Sequence, residues 1–215
     1  MSIRWNWRLA SRLSVITLAV LVVILVTVLQ QRNQAMTAAQ QSGAETTNAY
    51  GLQGTDLNAV PAPDFRLTDQ FGKPVAFSQF KGKPIVLTFL YTHCPDVCPL
   101  TAEKLHSALQ MLGKDAQNVG VIAVSTDPQR DDQAAALSFS KAHRMQDSWH
   151  YLIGTQTQLS SVWTDYHIYA QQQQQTVNHS MGIYLIDKEG RQQVYEDTDF
   201  TATQLASNLK ILLKQ

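Results

Sequence analysis

Apolar and polar positions divide the chain into three stretches. Leu13 to Leu29, LSVITLAVLVVILVTVL, carries no charge and only three hydroxyl residues. At helical rise it reaches about 25 Å, the short end of what spans a bilayer, so it predicts a single transmembrane helix. From Gln30 to Val60 the chain is rich in Gln, Ala, Thr, Gly and Asn with no steady apolar period, which predicts a flexible tether. From Pro61 the pattern sharpens. PDFRLTDQFGKPVAF predicts a short hairpin punctuated by FG and KP. Ile85 to Tyr91, IVLTFLY, is an unbroken apolar run, as in a strand buried on both faces.

Leu100, Leu105, Leu109 and Leu112 form an apolar stripe that predicts a helix over 99–112. VGVIAVS, 119–125, predicts a second buried strand, and Asp131 or Asp132 can cap a helix running to about His143. HYLIG then predicts a strand, TQTQLSSVWTDY a helix, MGIYLID with KEG a strand and turn, and QQVYE a returning strand. Thr201 or Thr203 caps a final helix. Strands alternating with helices indicate an α/β domain over 61–215, with a central mixed sheet flanked by helices. A strand leading straight into cysteines at a helix start is a thioredoxin-like arrangement.

Charge adds direction. Arg4, Arg8 and Arg12 precede the apolar run with Trp5 and Trp7 among them, whereas only Arg32 follows closely and the next basic residue is Arg66. By the positive-inside bias, residues 1–12 form a cytoplasmic tail and everything after Gln30 is exported. A cleaved signal peptide, with a site near Ala35 to Ala39, is the alternative; the apolar run is long for one. No cysteine lies near residue 30, so a bacterial lipoprotein is excluded. The 17 basic and 17 acidic residues of the 215 cancel, so no overall field attracts nucleic acid.

Two cysteines are too few for a disulfide scaffold. Cys94 and Cys98 lie in YTHCPDVCPL with three residues between them, in an exported domain where thiols tend to oxidise. Pro99 is comfortable as the first helical residue, with Cys98 just outside the helix. The positive end of that helix favours thiolate, the form that attacks a disulfide or binds a metal. The spacing permits a metal site, a redox pair or a structural disulfide. A metal needs a third ligand. His93 should point away from Cys94, while His106, His143, His150 and His167 read as ordinary helix-surface or element-end residues. His179 stands in TVNHSMGIYLID, before a buried strand and after the run Gln171 to Gln175, which reads as a solvated, mobile loop. In a thioredoxin-like domain that loop faces the cysteine loop. Two soft thiolates and an imidazole suit copper, as Cu(I) or Cu(II), better than hard cations, and zinc also accepts them.

YTHCPDVCPLTAEKL, VSTDPQRDD and VNHSMGIYLID resemble the three signature blocks of the Sco/SenC family, and the resemblance runs from Pro61 to the C-terminus. It implies a thioredoxin-fold copper protein tethered outside the cytoplasmic membrane, in the periplasm, that helps assemble the binuclear copper centre of cytochrome c oxidase subunit II. Carried over, Cys94, Cys98 and His179 are the copper ligands, and Asp127 belongs to an acidic segment near the site. Asp127 and Asp96 also read as turn formers. Asp132 stands where the family usually has Thr, and the five glutamines are not a typical family loop.

Two functions follow. A copper chaperone would take copper from a donor protein and pass it by ligand exchange to a client. An extracytoplasmic thiol–disulfide reductase would cycle Cys94 and Cys98 through a disulfide to reduce the client's cysteines, with no need for His179. A peroxiredoxin-like peroxidase is disfavoured because Tyr91, not Thr, stands three residues before Cys94. A purely structural module leaves His179 and the tether unexplained.

Overall fold

The computed structural model describes residues 21–31, 47–173 and 176–215, and the chain divides into two compact units, Met1–Glu45 and Thr46–Gln215. In the first, residues 21–31 are helical. The expected tail at 1–12, the first half of the expected anchor and residues 32–46 of the expected tether lie outside the described residues. Among the described residues no helix is long and apolar enough to cross a membrane.

The second unit is built on a six-stranded mixed sheet. Its strands are β1 (Thr55–Pro61), β4 (Ile85–Leu90), β5 (Gly120–Ser125), β6 (His150–Leu152), β9 (Ile183–Ile186) and β10 (Arg191–Glu196). They lie in the order β1-β10-β9-β4-β5-β6. β4, β5 and β6 run parallel, and β9, β10 and β1 join antiparallel. Two small hairpins stand apart from the sheet: β2 (Arg66–Thr68) with β3 (Pro74–Ala76), and β7 (Ala170–Gln172) with β8 (Val177–His179). The helices are α1 (Val97–Leu112), α2 (Gln133–Ala142), α3 (Gln156–Asp165) and α4 (Ala202–Lys214).

The unbroken apolar strands serve two cores. Val86 and Leu90 of β4 join Val121 and Ala123 of β5 on the face packed by α1, α2 and α4, where Leu105, Leu109, Phe139, Leu205 and Leu209 converge. Ile85, Leu87 and Phe89 join Ile122 and Val124 on the other face, against Leu159, Val162 and Trp163 of α3 and the β2–β3 hairpin. Successive strand residues point to opposite faces, so a strand covered on both sides has no polar alternation. Each fully buried aliphatic side chain contributes about 1.5–3 kcal/mol.

The expected caps form. Asp132 Oδ1 accepts the Ala135 N–H at 2.7 Å and starts α2, and Thr201 Oγ1 accepts the Gln204 N–H at 3.1 Å and starts α4. The expected tether through residue 60 is corrected. Leu52 is fully buried, and β1 pairs with β10 along the sheet edge. β1 escaped notice because an edge strand exposed along most of its length carries no apolar alternation. Asn58 and Ala59 also break its register with positive φ.

Candidate functional site

β4 ends in the middle of the sheet and delivers Tyr91 to Cys94 into the turn before α1. The helix begins at Val97 with Asp96 at its N-cap. Cys98 and Pro99 are thus its second and third residues, a correction to the expected start at Pro99. The first four N–H groups of a helix have no intrahelical partner, so a proline at the third position costs no bond. The first ladder bond runs from the Leu100 N–H to the Asp96 carbonyl, at 3.4 Å. Asp96, named as a candidate near the site, makes no side-chain capping bond.

Both cysteines are free thiols. Cys94 is half-buried and Cys98 fully buried. The Cys98 N–H donates to Cys94 Sγ at 3.4 Å. The Cys94 pKa falls to about 5, chiefly because the Cys98 thiol donates to its sulfur. Burial opposes the shift, and the backbone N–H groups of Asp96 and Cys98 and the Tyr91 hydroxyl assist it. Cys98 is pushed strongly upward by that same bond and by burial. At neutral pH the pair holds one thiolate and one thiol, with the negative charge at the helix N-terminus.

The turn is braced from behind by Asp131, a buried carboxylate that sequence reading considered only as a helix cap. It accepts the Thr92 N–H (3.0 Å) and O–H (2.7 Å), the Ser125 O–H (2.6 Å) and the Tyr151 O–H (2.9 Å). Burial raises its pKa and these donors oppose the rise. Asp127, four residues earlier, is also buried. It pairs with Arg130 through Oδ2, and its backbone N–H donates to the Ser125 hydroxyl oxygen at 3.0 Å. Ligand-capable atoms of His93, Asp127 and Asp131 lie within 4.8 Å of one another. The Asp131 oxygens, however, are already committed to four donors.

His179 ends β8 and is buried at 7% exposure. Its Nδ1 lies 2.7 Å from the Ser180 carbonyl oxygen. A carbonyl only accepts, so Nδ1 carries the proton and Nε2 keeps its lone pair. That Nε2 is buried and has no hydrogen-bond partner. Burial lowers the His179 pKa, against the Ser180 carbonyl and the negative charge of Cys94, and holds the ring neutral. A buried neutral imidazole with an orphaned lone pair, oriented by a carbonyl on its other nitrogen, has the form of a metal ligand. The Tyr91 ring, three residues before Cys94, stands edge-on to the His179 imidazole with centroids 5.6 Å apart.

The expectation of a mobile loop over Gln171–Gln175 is corrected at its first two residues. Gln171 and Gln172 are strand residues of β7 opposite Asn178 and Val177, while residues 174–175 lie outside the described residues. The Gln172 side-chain amide donates to the Thr126 carbonyl at 3.1 Å and ties the hairpin to the loop after β5. Beyond His179, Gly182 adopts φ 151°, and a Cβ there would collide with the Tyr195 hydroxyl and the Glu196 carbonyl. Two other histidines take structural places: the His143 ring lies tilted against Phe139 with centroids 4.5 Å apart, and His150 Nδ1 meets Asp69 Oδ2 at 3.2 Å. Tyr91 was missed at the sequence level because it closes an apolar run and reads as core.

Residues 53–214 match the family model described as SCO1/SenC. The mitochondrial SCO2 homologue of Mus musculus is 29% identical over 160 residues, 71% of this chain and 62% of that protein. Mitochondrial SCO2 of Saccharomyces cerevisiae is 34% identical over 157 residues, 69% of this chain and 49% of that protein. The chain thus spans about half to three fifths of the length of these relatives. The copper-bound structure of Bradyrhizobium japonicum ScoI superposes with TM-score 0.65 at 34% identity, over 72% of this chain and 99% of that one. Its likeness extends the match from sequence to the mixed-sheet, thioredoxin-like α/β fold. This chain belongs to the SCO1/SenC family.

Proposed function

We propose that this protein is a membrane-tethered copper carrier. It holds one copper through the sulfurs of Cys94 and Cys98 and Nε2 of His179, and passes it by ligand exchange to the binuclear copper site of cytochrome c oxidase subunit II or a similar client. The observation that carries this reading is the orphaned, buried Nε2 of a neutral His179, near a cysteine already held as thiolate. Thiolate and imidazole together favour copper over hard cations. The relative ScoI binds copper in its structure. A fourth coordination position left open suits a carrier, because an incoming client ligand can enter before a resident one leaves. The apolar run at 13–29 supports an anchor, and the arginines before it support an extracytoplasmic domain. Asp127 and Asp96 act here through loop geometry rather than as ligands.

The full chain, reduced and loaded anaerobically with Cu(I) and separately with Cu(II), tests this against His179→Ala. One copper per chain and a Cu(II)–thiolate absorption that is lost in the variant are the expected results. The variant should weaken Cu(II) binding by more than about 100-fold while thermal unfolding stays near wild type. Negligible copper uptake by the wild type would sink the carrier.

A second reading, a thiol–disulfide reductase, is favoured by the asymmetry of the two thiols. The Cys94 thiolate attacks a client disulfide and releases one client thiolate. Cys98 then loses its proton to solvent or client and attacks the mixed disulfide, leaving a Cys94–Cys98 disulfide and a reduced client. Two electrons pass to the client, and an extracytoplasmic dithiol donor must restore the pair. In this reading His179→Ala reduces a client disulfide at the wild-type rate.

A further inference from the structure

The chain enters its second unit through a buried polar clamp. Asn208 of α4 is buried, and its side chain grips the backbone of Gln53, two residues ahead of β1, in both directions. Its Oδ1 accepts the Gln53 N–H at 2.9 Å, and its Nδ2 donates to the Gln53 carbonyl at 2.8 Å. The same Nδ2 donates to Glu196 Oε1 of β10 at 2.6 Å. The clamped segment is a tight turn, with Thr47 bridged to Gln53 and Asn48 Oδ1 accepting the Leu52 N–H at 3.1 Å. Leu52 is buried in the core packed by α1 and α4. At the next residue but one, a Cβ on Gly54 would stand 2.8 Å from the Tyr195 carbonyl oxygen and 3.3 Å from Glu196 Cγ, so the segment lies directly against Glu196.

Glu196 is the poorly satisfied member of this cluster. It is buried, and its Oε2 has no hydrogen-bond partner. An ionised carboxylate offers about four acceptor positions, and one neutral amide compensates a buried charge weakly. α4 presents the Asn208 amide to it, the start of β1 presents the backbone of Gly54, and the turn before β9 presents Gly182 to its carbonyl. Lys104 of α1 gives its ammonium to the Thr198 carbonyl at 2.8 Å. Burial pushes the Glu196 pKa up to about 7; the Asn208 bond opposes the rise, and the like charge of Asp197 adds to it.

We propose that Glu196 and Asn208 form a proton-operated latch on residues 47–54, the segment through which the chain enters the domain. Protonated, Glu196 leaves the clamp closed. Ionised, it places an uncompensated charge beside Asn208 and Gly54, and the charge is relieved when the segment lifts and water reaches the carboxylate. An acid whose pKa is raised by the closed state stabilises that state fully below its open-state value of about 4.5. The contribution is lost as pH rises towards 7 and stays lost above it. Released, the turn extends by roughly 3.5 Å per residue, which under the anchored-carrier reading is added travel for the copper site.

Amide hydrogen exchange of the reduced, metal-free, full-length protein between pH 5 and 8 tests the latch against Glu196→Gln, with rates corrected for the intrinsic pH dependence of exchange. Glutamine keeps an oxygen for Asn208 and has no proton to lose. In the wild type, protection of peptides covering 47–54 should fall by up to about tenfold per pH unit between 5 and 7 and level off above, the limit for one linked proton. Peptides from β4 should hold their protection throughout. In Glu196→Gln the 47–54 profile should be flat. A wild-type profile that is already flat overturns the proposal, and so does a variant that keeps the wild-type slope. If Glu196→Gln does not fold, a carbon-detected titration of the wild-type Glu196 carboxyl decides: a midpoint near 7 sustains the latch and one near 4.5 overturns it. No step uses copper, so a wild type that binds none overturns the carrier reading and leaves the latch to be decided on its own.

Discussion

The cysteine turn and the histidine hairpin both supply the site, but they are held in different ways. The turn sits between a central strand buried along all its length and the first turn of α1. Behind it, Asp131 gathers four donors from three segments of the chain. The hairpin consists of two three-residue strands that belong to no larger sheet. Gln172 ties it to the Thr126 carbonyl, and Ser180 and Tyr169 bond one another at its base. Two-stranded hairpins are marginal alone, and regions with few buried contacts open at low cost. The contrast teaches a division of labour. The sulfurs sit in a turn fixed on both sides, and the imidazole sits on a small hairpin with few ties to the rest of the domain.

Breaking the fixed half gives the largest effect. Asp131→Ala leaves four donors without their acceptor, the Ser125 and Tyr151 hydroxyls buried and the two Thr92 groups partly so. Since each unsatisfied group costs about 1–3 kcal/mol and some hydroxyls can turn elsewhere, a loss near 3 kcal/mol is expected in urea unfolding. A variant as stable as wild type would show that the turn holds itself.

The charge of the fixed half is sharpened by pH. The folded pKa of Cys94 is about 5, depressed from its ordinary 9.0. A depressed acid stabilises the fold fully above its unfolded pKa, and that contribution shrinks as pH falls from 9 and is gone below about 5. Alkylation of Cys94 by iodoacetamide should accordingly stay near its plateau at pH 7 and fall with a midpoint near 5. A midpoint near 9 would remove the thiolate from the resting site.

Loosening the hairpin gives the smallest effect. Gln172→Ala removes one side-chain bond, so Cu(II) retention should drop about three- to tenfold, with stability changed by no more than about 1 kcal/mol. Cu(I), which two sulfurs satisfy well, should be retained almost unchanged. Equal losses for both oxidation states would mean that the hairpin holds the cysteines as well as His179.

Much of this was legible in the chain. The apolar runs at 85–91 and 119–125 announced the paired central strands, because residues covered on both faces must be apolar without alternation. Asp132 and Thr201 marked helix starts through a side-chain oxygen that reaches the third N–H. β1 and the β7–β8 hairpin were hidden, since an exposed edge and a run of glutamines bear no hydrophobic period. The start of α1 was misread by two residues because proline is tolerated anywhere within the first turn.

By itself, the sequence determined the central sheet strands, the family and the chemical kinds available: two thiols five positions from end to end and a histidine 81 residues beyond Cys98. These follow from periodicity, side-chain shape and the fixed properties of sulfur and imidazole. Only the tertiary structure decided which sulfur carries the charge, which nitrogen of His179 keeps its lone pair and that the Tyr91 ring stands against the imidazole. Ionisation, tautomer and contact depend on burial and on partners distant in the chain, and no local pattern records them.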